Sequence, residues 1–324
     1  MDVRSEAEFA RGAFELVSNI PILSNLHRHQ VGLTYKMKGA DAAVALGYQL
    51  VGPHKESLQR RWANLARDGE LILYCWRGGM RSQIATDWVR ELGVSARQVQ
   101  GGFKSMRNRL IQEFGRPRPI IIIGGMAGVG KTQLLSHWKD QAIDLESLAN
   151  HRGSAFGAMA AGQPSQLSFE NSLGLKLYGE QGRILVEDES ASIGSCGIPR
   201  PFYVQMQSAP VVLVKADINE RVQNIYNEYI EPGLKSDPDR LAAHFDRCLA
   251  RISKKLGGLR YQTLKRKMEC AFREKEAALH HEWIERLLSE YYDPRYAHYQ
   301  AQHSRPVWFE GKTEECLEWL KRAI

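Results

Sequence analysis

The sequence predicts an α/β protein in two parts: a parallel-sheet domain, then a second α/β domain built on a phosphate-binding loop and ending in helices. Three observations carry this prediction. Residues 120–124, four isoleucines and a glycine, are an apolar β-branched run of strand length that enters a glycine loop and then a helical pattern at 133–139. Residues 71–74, Leu-Ile-Leu-Tyr, are a second such run, which ends on Cys75 and a tight turn before a helix at 82–92. From 218 to 292 the pattern is helical.

A chain of 324 residues is long enough for two cores. A hydrophobic fraction of 43%, a charged fraction of 25% and scattered prolines exclude a disordered or low-complexity protein. No stretch approaches the ~18 apolar residues of a membrane span, and the first six residues carry charge where a signal peptide needs an apolar core. A cytoplasmic protein without a membrane segment is therefore expected. The five cysteines, 75, 196, 248, 270 and 316, form no C-x-x-C pair, which argues against a disulfide framework or zinc knuckle and for reduced thiols. A net charge of +7 and a pI near 9.1 favour an anionic partner, although many enzymes are equally basic.

Residues 2–4, Asp-Val-Arg, with Glu8, Phe9 and Gly12, read as the end of a short strand turning into a helix. A polar loop is expected at 25–30 and an alanine-rich helix at 41–50. His27 and His29 have no carboxylate or thiol at ligand spacing and read as surface histidines. Cys75 stands at the C-terminal tip of a strand, facing a loop with Arg77, Gly78, Gly79 and Arg81. Backbone N–H groups, the next helix N-terminus and the two arginines stabilise a thiolate there, making a nucleophile; the competing reading is a small buried hydrophobe. Residues 99–103 give a second strand-to-turn signal, a basic helix follows at 104–114, and Gly115-Arg116-Pro117-Arg118-Pro119 is a linker. The domains are thus expected at 1–114 and 120–324, with the linker at 115–119.

In the second domain Gly125, Gly130, Lys131 and Thr132 complete G-x-x-x-x-G-K-T, with Gly128 widening the loop. Its N–H groups ring a phosphate and Lys131 adds charge. Residues 151–157, with His151, Arg152, Ser154 and Phe156, and residues 163–171 are rich in glycine and serine and are expected to be active-site loops. The strand at 184–186 ends in Glu187, Asp188, Glu189 and Ser190; a carboxylate at such a tip holds Mg2+ beside Thr132 or acts as base, and the residues leave both open for Asp188. Lys215-Ala216-Asp217 lacks the Asn that a guanine-reading N-K-x-D requires. Lys254, Lys255, Arg260, Lys265, Arg266 and Lys267 concentrate positive charge in the helical segment, as a solvated face or as a surface for a phosphate backbone. A last strand is expected at 307–309.

The loop C-x5-R from Cys75 to Arg81, with Asp2-Val3-Arg4, Glu8-Phe9 and Gly101-Gly102-Phe103, resembles a rhodanese domain. Joined to a P-loop NTPase-like domain with residues 151–157, Ser168-Phe169-Glu170-Asn171, Glu187-Asp188-Glu189-Ser190 and residues 290–294, the whole chain resembles the tRNA 2-selenouridine synthases. Val31-Gly32, Tyr35-Lys36, Gly39 and Asp41-Ala42-Ala43 are similar to that family rather than to rhodaneses at large. The chain departs from the pattern in lacking the start of the first strand. The resemblance implies replacement of sulfur by selenium at C2 of wobble 2-thiouridine in tRNA, with selenophosphate as donor, through an S-geranylated tRNA made from geranyl diphosphate. It implies that Cys75 accepts or positions selenium and that the P-loop holds the departing diphosphate. The sequence leaves the oligomeric state, the tRNA set and Mg2+ open.

Two other enzymes compete. An ATP-dependent tRNA sulfurtransferase would adenylate the uridine oxygen, but its S-G-G-x-D-S loop is absent. A P-loop kinase or NTPase with a regulatory rhodanese module would hydrolyse nucleotide without tRNA. A purely RNA-binding protein would need neither the thiol loop nor the glycine loop.

Overall fold

Both apolar runs become parallel strands, each leading from its C-terminal end into a glycine-containing loop. The computed structural model describes residues 1–66, 69–159, 161–180, 182–302 and 305–323. The chain divides into two units, Met1–Gly115 with Pro164–Tyr178, and Arg116–Gln163 with Gly179–Ile324.

The first unit holds α1 (Glu6–Arg11), α2 (Asn25–Lys38), α3 (Ala40–Val51), α4 (Lys55–Ala63), β1 (Leu71–Leu73), α5 (Met80–Arg90), β2 (Ala96–Gln98) and α6 (Gly102–Gly115). β1 and β2 pair in parallel. Residues 1–3 lie beside them as bridges rather than as a strand: the Val3 N–H donates to the Tyr74 carbonyl at 3.0 Å and the Tyr74 N–H to that of Met1 at 3.1 Å. Asp2 and Arg4 are fully buried as a bidentate pair, with the Arg4 guanidinium 3.8 Å from the centre of the Phe103 ring. Trp62, Leu73, Ala85 and Val89 fill the adjacent core.

Two expected loops are helices. Residues 25–30 open α2, because the Ser24 side chain caps it by accepting from the His27 N–H at 3.2 Å and no proline interrupts the run that follows. Residues 166–171 begin a further helix, Gln166–Gly179, which lies with the first unit. Ser165 accepts from the Ser168 N–H at 3.2 Å, and Phe169, Leu173 and Leu177, spaced four apart, are fully buried. Asn171 is also buried, donating to the Ala13 carbonyl and accepting from Arg107, each at 3.0 Å. Serine and glycine in the composition hide this apolar stripe.

In the second unit five parallel strands run in the order β4-β5-β3-β8-β9: β3 is Ile120–Gly124, β4 Ala142–Ile143, β5 Ile184–Glu187, β8 Val211–Val214 and β9 Val307–Gly311. The short hairpin β6 (Ser192–Ile193) and β7 (Cys196–Gly197) stands apart. The isoleucines of central β3 are buried on both faces, as a parallel strand under helices requires. The helix expected at 133–139 starts earlier, as α7 (Lys131–Leu135), and ends in a 3₁₀ turn. Helices α8 (Leu145–Ala149) and α10 (Arg200–Ser208) precede β8, the helix Gln166–Gly179 being α9, and between β8 and β9 the chain is helical: α11 (Ile218–Ile225), α12 (Glu231–Ser236), α13 (Pro238–Leu256), α14 (Gly258–Glu274), α15 (Ala277–Leu287) and α16 (Asp293–Gln302), with π turns at Tyr226–Ile230 and Leu288–Tyr292. Phe245, Leu264, Met268, Trp283 and Ile284 form their core. Among the described residues, no helix is long and apolar enough to cross a membrane.

Candidate active site

In the second unit β3 ends in the glycine loop. Gly130 caps α7 in the left-handed region, at φ 86°. Gly128, at φ 82°, passes so close to α11 that a Cβ there would lie 2.7 Å from the Arg221 carbonyl oxygen. The side chain of Arg221, itself buried, braces the loop, donating from Nε to the Ala127 carbonyl at 2.9 Å and gripping Asp293 with both terminal nitrogens at 2.6 and 3.1 Å. Asn224 donates to the Gly128 carbonyl at 2.9 Å. The loop is therefore held in shape before any anion arrives.

Gly125, Gly128, Gly130, Lys131, Thr132, Arg152, Ser154, Phe156, Glu187, Asp188, Glu189 and Ser190 all line one cavity of about 840 Å³. His151 is not among its lining residues, and burial lowers its pKa. Arg152 pairs with Glu228 at 3.0 Å and stacks over Tyr229.

The carboxylates separate into two roles. Both oxygens of Asp188 accept from Arg305 Nη2, at 2.8 and 2.7 Å, in a pair that is 5% and 7% exposed. Asp188 is thus committed to a buried cation, which opposes its use as a metal ligand or base. Ligand atoms of Glu146, Glu187 and Glu189 lie within 4.8 Å of one another, the group of metal-ligating type found among the described residues. Burial, then the charge of Glu189, raises Glu146 to about 8; burial, then the charge of Glu187, raises Glu189 to about 7. Glu187 is 1% exposed; burial, then the charge of Glu146, raises its pKa well above the ordinary carboxylate value, and its Oε2 has no hydrogen-bond partner among the described residues. Such a trio, lining the same cavity as Thr132, suits a divalent cation.

The same cavity also has an apolar lining: Phe156, Phe245, Trp283, Ile284, Leu287 and Leu288. Phe156 comes from the 151–157 loop and the other five from the helical segment, and all six belong to one buried apolar cluster.

In the first unit Cys75 follows β1 and is 3% exposed. Its Sγ lies 3.2 Å from Ser82 Oγ, and Gln98 Nε2 donates to Ser82 at 2.8 Å. Burial raises the thiol's pKa, but hydrogen bonds from the Ser82 side chain and backbone, the Arg81 charge and the Gly79 backbone outweigh it and leave it below the ordinary thiol value. Gly102, at φ 56°, backs the turn; a Cβ there would lie 2.3 Å from the Cys75 carbonyl oxygen. Of the two loop arginines, only Arg81 acts on the thiol. Arg77 is exposed and lines a separate recess of about 460 Å³ with Lys104, Ser105, Asn108 and Arg109.

The basic residues of α13 and α14 also divide. Arg260 pairs with Glu290, Lys265 with Asp246 and Glu269, and Lys267 with Glu282. Lys254, Lys255 and Arg266 are exposed and form no ion pair among the described residues.

Sequence reasoning missed Glu146, Arg221, Asn224 and Arg305, which only the fold brings to the loop. Ser82 was within reach of it, as a hydroxyl in the first turn of the helix after the thiol loop.

A family model described as the tRNA 2-selenouridine synthase AAA domain matches residues 118–324. A tRNA 2-selenouridine synthase of Pseudomonas fluorescens is 40% identical over 349 residues, covering 99% of this chain and 94% of that protein. Those of Bordetella petrii and Azotobacter vinelandii are 39% and 40% identical, again over 99% of this chain and 92% and 93% of theirs. A solved N-terminal domain of a Clostridium difficile protein described as ATP/GTP-binding is 34% identical over 33% of this chain and 84% of that one, with a TM-score of 0.32, too low to bear on the fold. Matched along nearly its whole length, the chain belongs to the tRNA 2-selenouridine synthase family.

Proposed function

We propose that this enzyme replaces sulfur by selenium at C2 of wobble 2-thiouridine in tRNA, with selenophosphate as donor, after S-geranylation by geranyl diphosphate. The observation that carries this reading is the mixed lining of the cavity in the second unit, a phosphate-binding loop together with aromatic and aliphatic side chains. A ligand that is half diphosphate and half hydrocarbon matches both kinds of lining.

In the first half-reaction the thione sulfur attacks C1 of geranyl diphosphate, N3 of the base gives up its proton, the C–O bond breaks, and its electron pair leaves on the diphosphate. The loop N–H groups and Lys131 stabilise that charge. Glu146, Glu187 and Glu189, with Thr132, would hold Mg2+, which would add charge neutralisation at the diphosphate. In the second half-reaction a selenium nucleophile adds at C2 and the C2–S bond breaks. Geranylation is the activating step, because a thione sulfur leaves C2 badly whereas an alkylated sulfur leaves as a thiol. Cys75, its charge favoured by Ser82 and Arg81, positions the selenium in a rhodanese-like first unit. Lys254, Lys255 and Arg266 meet the tRNA phosphates. Such a substrate belongs to the cytoplasm.

The test is mass spectrometry of wobble nucleosides after incubation with thiolated tRNA, geranyl diphosphate and selenophosphate, omitting each in turn. Omitting selenophosphate should leave geranylated nucleoside; omitting geranyl diphosphate should leave 2-thiouridine. Selenium incorporation that needs ATP and no geranyl diphosphate would overturn the reading.

A further inference from the structure

The first unit has an apolar cavity of its own, about 690 Å³, between α2, α3 and the start of α5. It adjoins the thiol loop directly: Met80, Arg81 and Ile84 line it from one face of α5, while Ser82 of the same helix touches Cys75. Arg81 thus borders the cavity and acts on the thiol.

Two glycines keep this space open. Gly32 lies within α2 and Gly47 within α3, both with ordinary helical backbone, and both line the cavity. A Cβ at either would meet nothing within 4 Å. Neither the backbone nor a crowded neighbour requires glycine there, yet each glycine weakens its helix relative to alanine. What they preserve is volume. Leu33, Tyr35, Tyr48 and Met80 line it and stay 46–62% exposed, an apolar surface of the kind that marks a binding site. The charged lining residues are all basic, Arg28, Lys36 and Arg81, with no carboxylate among them. Arg28 and Arg81 share Glu8, which leaves Lys36 to face an outside anion. The occupant that fits is an apolar chain carried on an anionic strand.

We infer that this cavity holds the geranyl chain of S-geranyl-2-thiouridine in tRNA during selenium delivery, as a second prenyl site distinct from the one beside the P-loop. The inference rests on the geranylated intermediate proposed above. In that step the selenium of selenophosphate bonds to C2, the C2–S electron pair leaves on geranyl thiolate, which takes a proton from water, and the hydroxide so formed attacks phosphorus, breaking the P–Se bond so that phosphate departs and selenium stays on C2. A chain seated beside α5 brings C2 to the Cys75 loop and gives the leaving thiol an apolar place to depart from.

Filling the cavity tests this. Gly47→Leu and Gly32→Leu place a side chain into open space on a helix that prefers leucine to glycine, so melting temperature should hold or rise. Supplied with tRNA geranylated beforehand, the filled variants should deliver selenium at least ~10-fold more slowly than wild type. They should geranylate 2-thiouridine at the wild-type rate, and geranylated tRNA should accumulate. With tRNA carrying an S-methyl group, which leaves the cavity unused, variant and wild type should react equally. Equal rates on geranylated tRNA would overturn the inference. So would equal slowing on both substrates, and a change of oligomeric state accompanying it would instead assign the cavity to a contact between chains. If wild type itself fails to process pre-geranylated tRNA, the geranylated intermediate fails rather than the cavity.

Discussion

Arg81 grips the Glu8 carboxylate with both terminal nitrogens, Nη1 2.6 Å from Oε2 and Nη2 3.2 Å from Oε1. Burial opposes ionisation of Glu8, yet Arg81, the Ser5 backbone and Arg28 hold its pKa down to about 2. A carboxylate depressed from 4.5 to about 2 contributes stability that is full above pH ~4.5 and is lost as pH falls toward 2. Replacing Glu8 by Gln should therefore cost about 2 kcal/mol at pH 7, a difference that shrinks below pH ~4.5 in urea unfolding. It should also free Arg81 from its orientation and move the pH midpoint of Cys75 alkylation upward.

Lys131→Ala should lower the geranylation rate on the order of 100-fold or more, since its charge meets the diphosphate as that group leaves. Selenium delivery to tRNA geranylated beforehand should proceed unchanged. Single-turnover assays of the two half-reactions separate these outcomes.

Arg305→Ala should destabilise the second unit by about 3–5 kcal/mol, because Asp188 would be left buried and unpaired. Adding Asp188→Asn should recover part of that loss. Chemical denaturation of the two variants reads the difference.

Mg2+ should raise the melting temperature of wild type. At a concentration ~100 times its dissociation constant the gain is about 2.7 kcal/mol. Glu187→Gln should abolish most of that rise, whereas a cation bound elsewhere would still stabilise the variant.

Affinity for tRNA should fall with salt, and Lys254→Ala, Lys255→Ala and Arg266→Ala should each reduce the slope of log K against log salt by about 1. Lys265→Ala and Lys267→Ala should change it less, since their charges already face Asp246 and Glu282.

Features carried by local pattern were legible in the sequence. Residues 120–132 announce strand, glycine loop and helix because that chemistry is contiguous, and Cys75 stands out because its strand, turn and helix are adjacent. α2 and the helix Gln166–Gly179 were hidden because single polar residues and glycines mask a capped apolar stripe. Asp188 looked like the working carboxylate until Arg305, more than a hundred residues away, took both its oxygens. Glu146 joins Glu187 and Glu189 only because β4 and β5 are neighbours, and no local signal marks it.

β8 and β9 are partners in the sheet, yet the whole helical segment lies between them in the chain. Closing so long a loop is entropically slow, so β9 should join late as the chain folds. Arg305 stands just ahead of β9, so Asp188 should acquire its buried cation at the same late stage. A nascent chain arrested before residue 305 would hold an intact glycine loop over an open sheet edge and an uncompensated carboxylate, a species for chaperones rather than for catalysis.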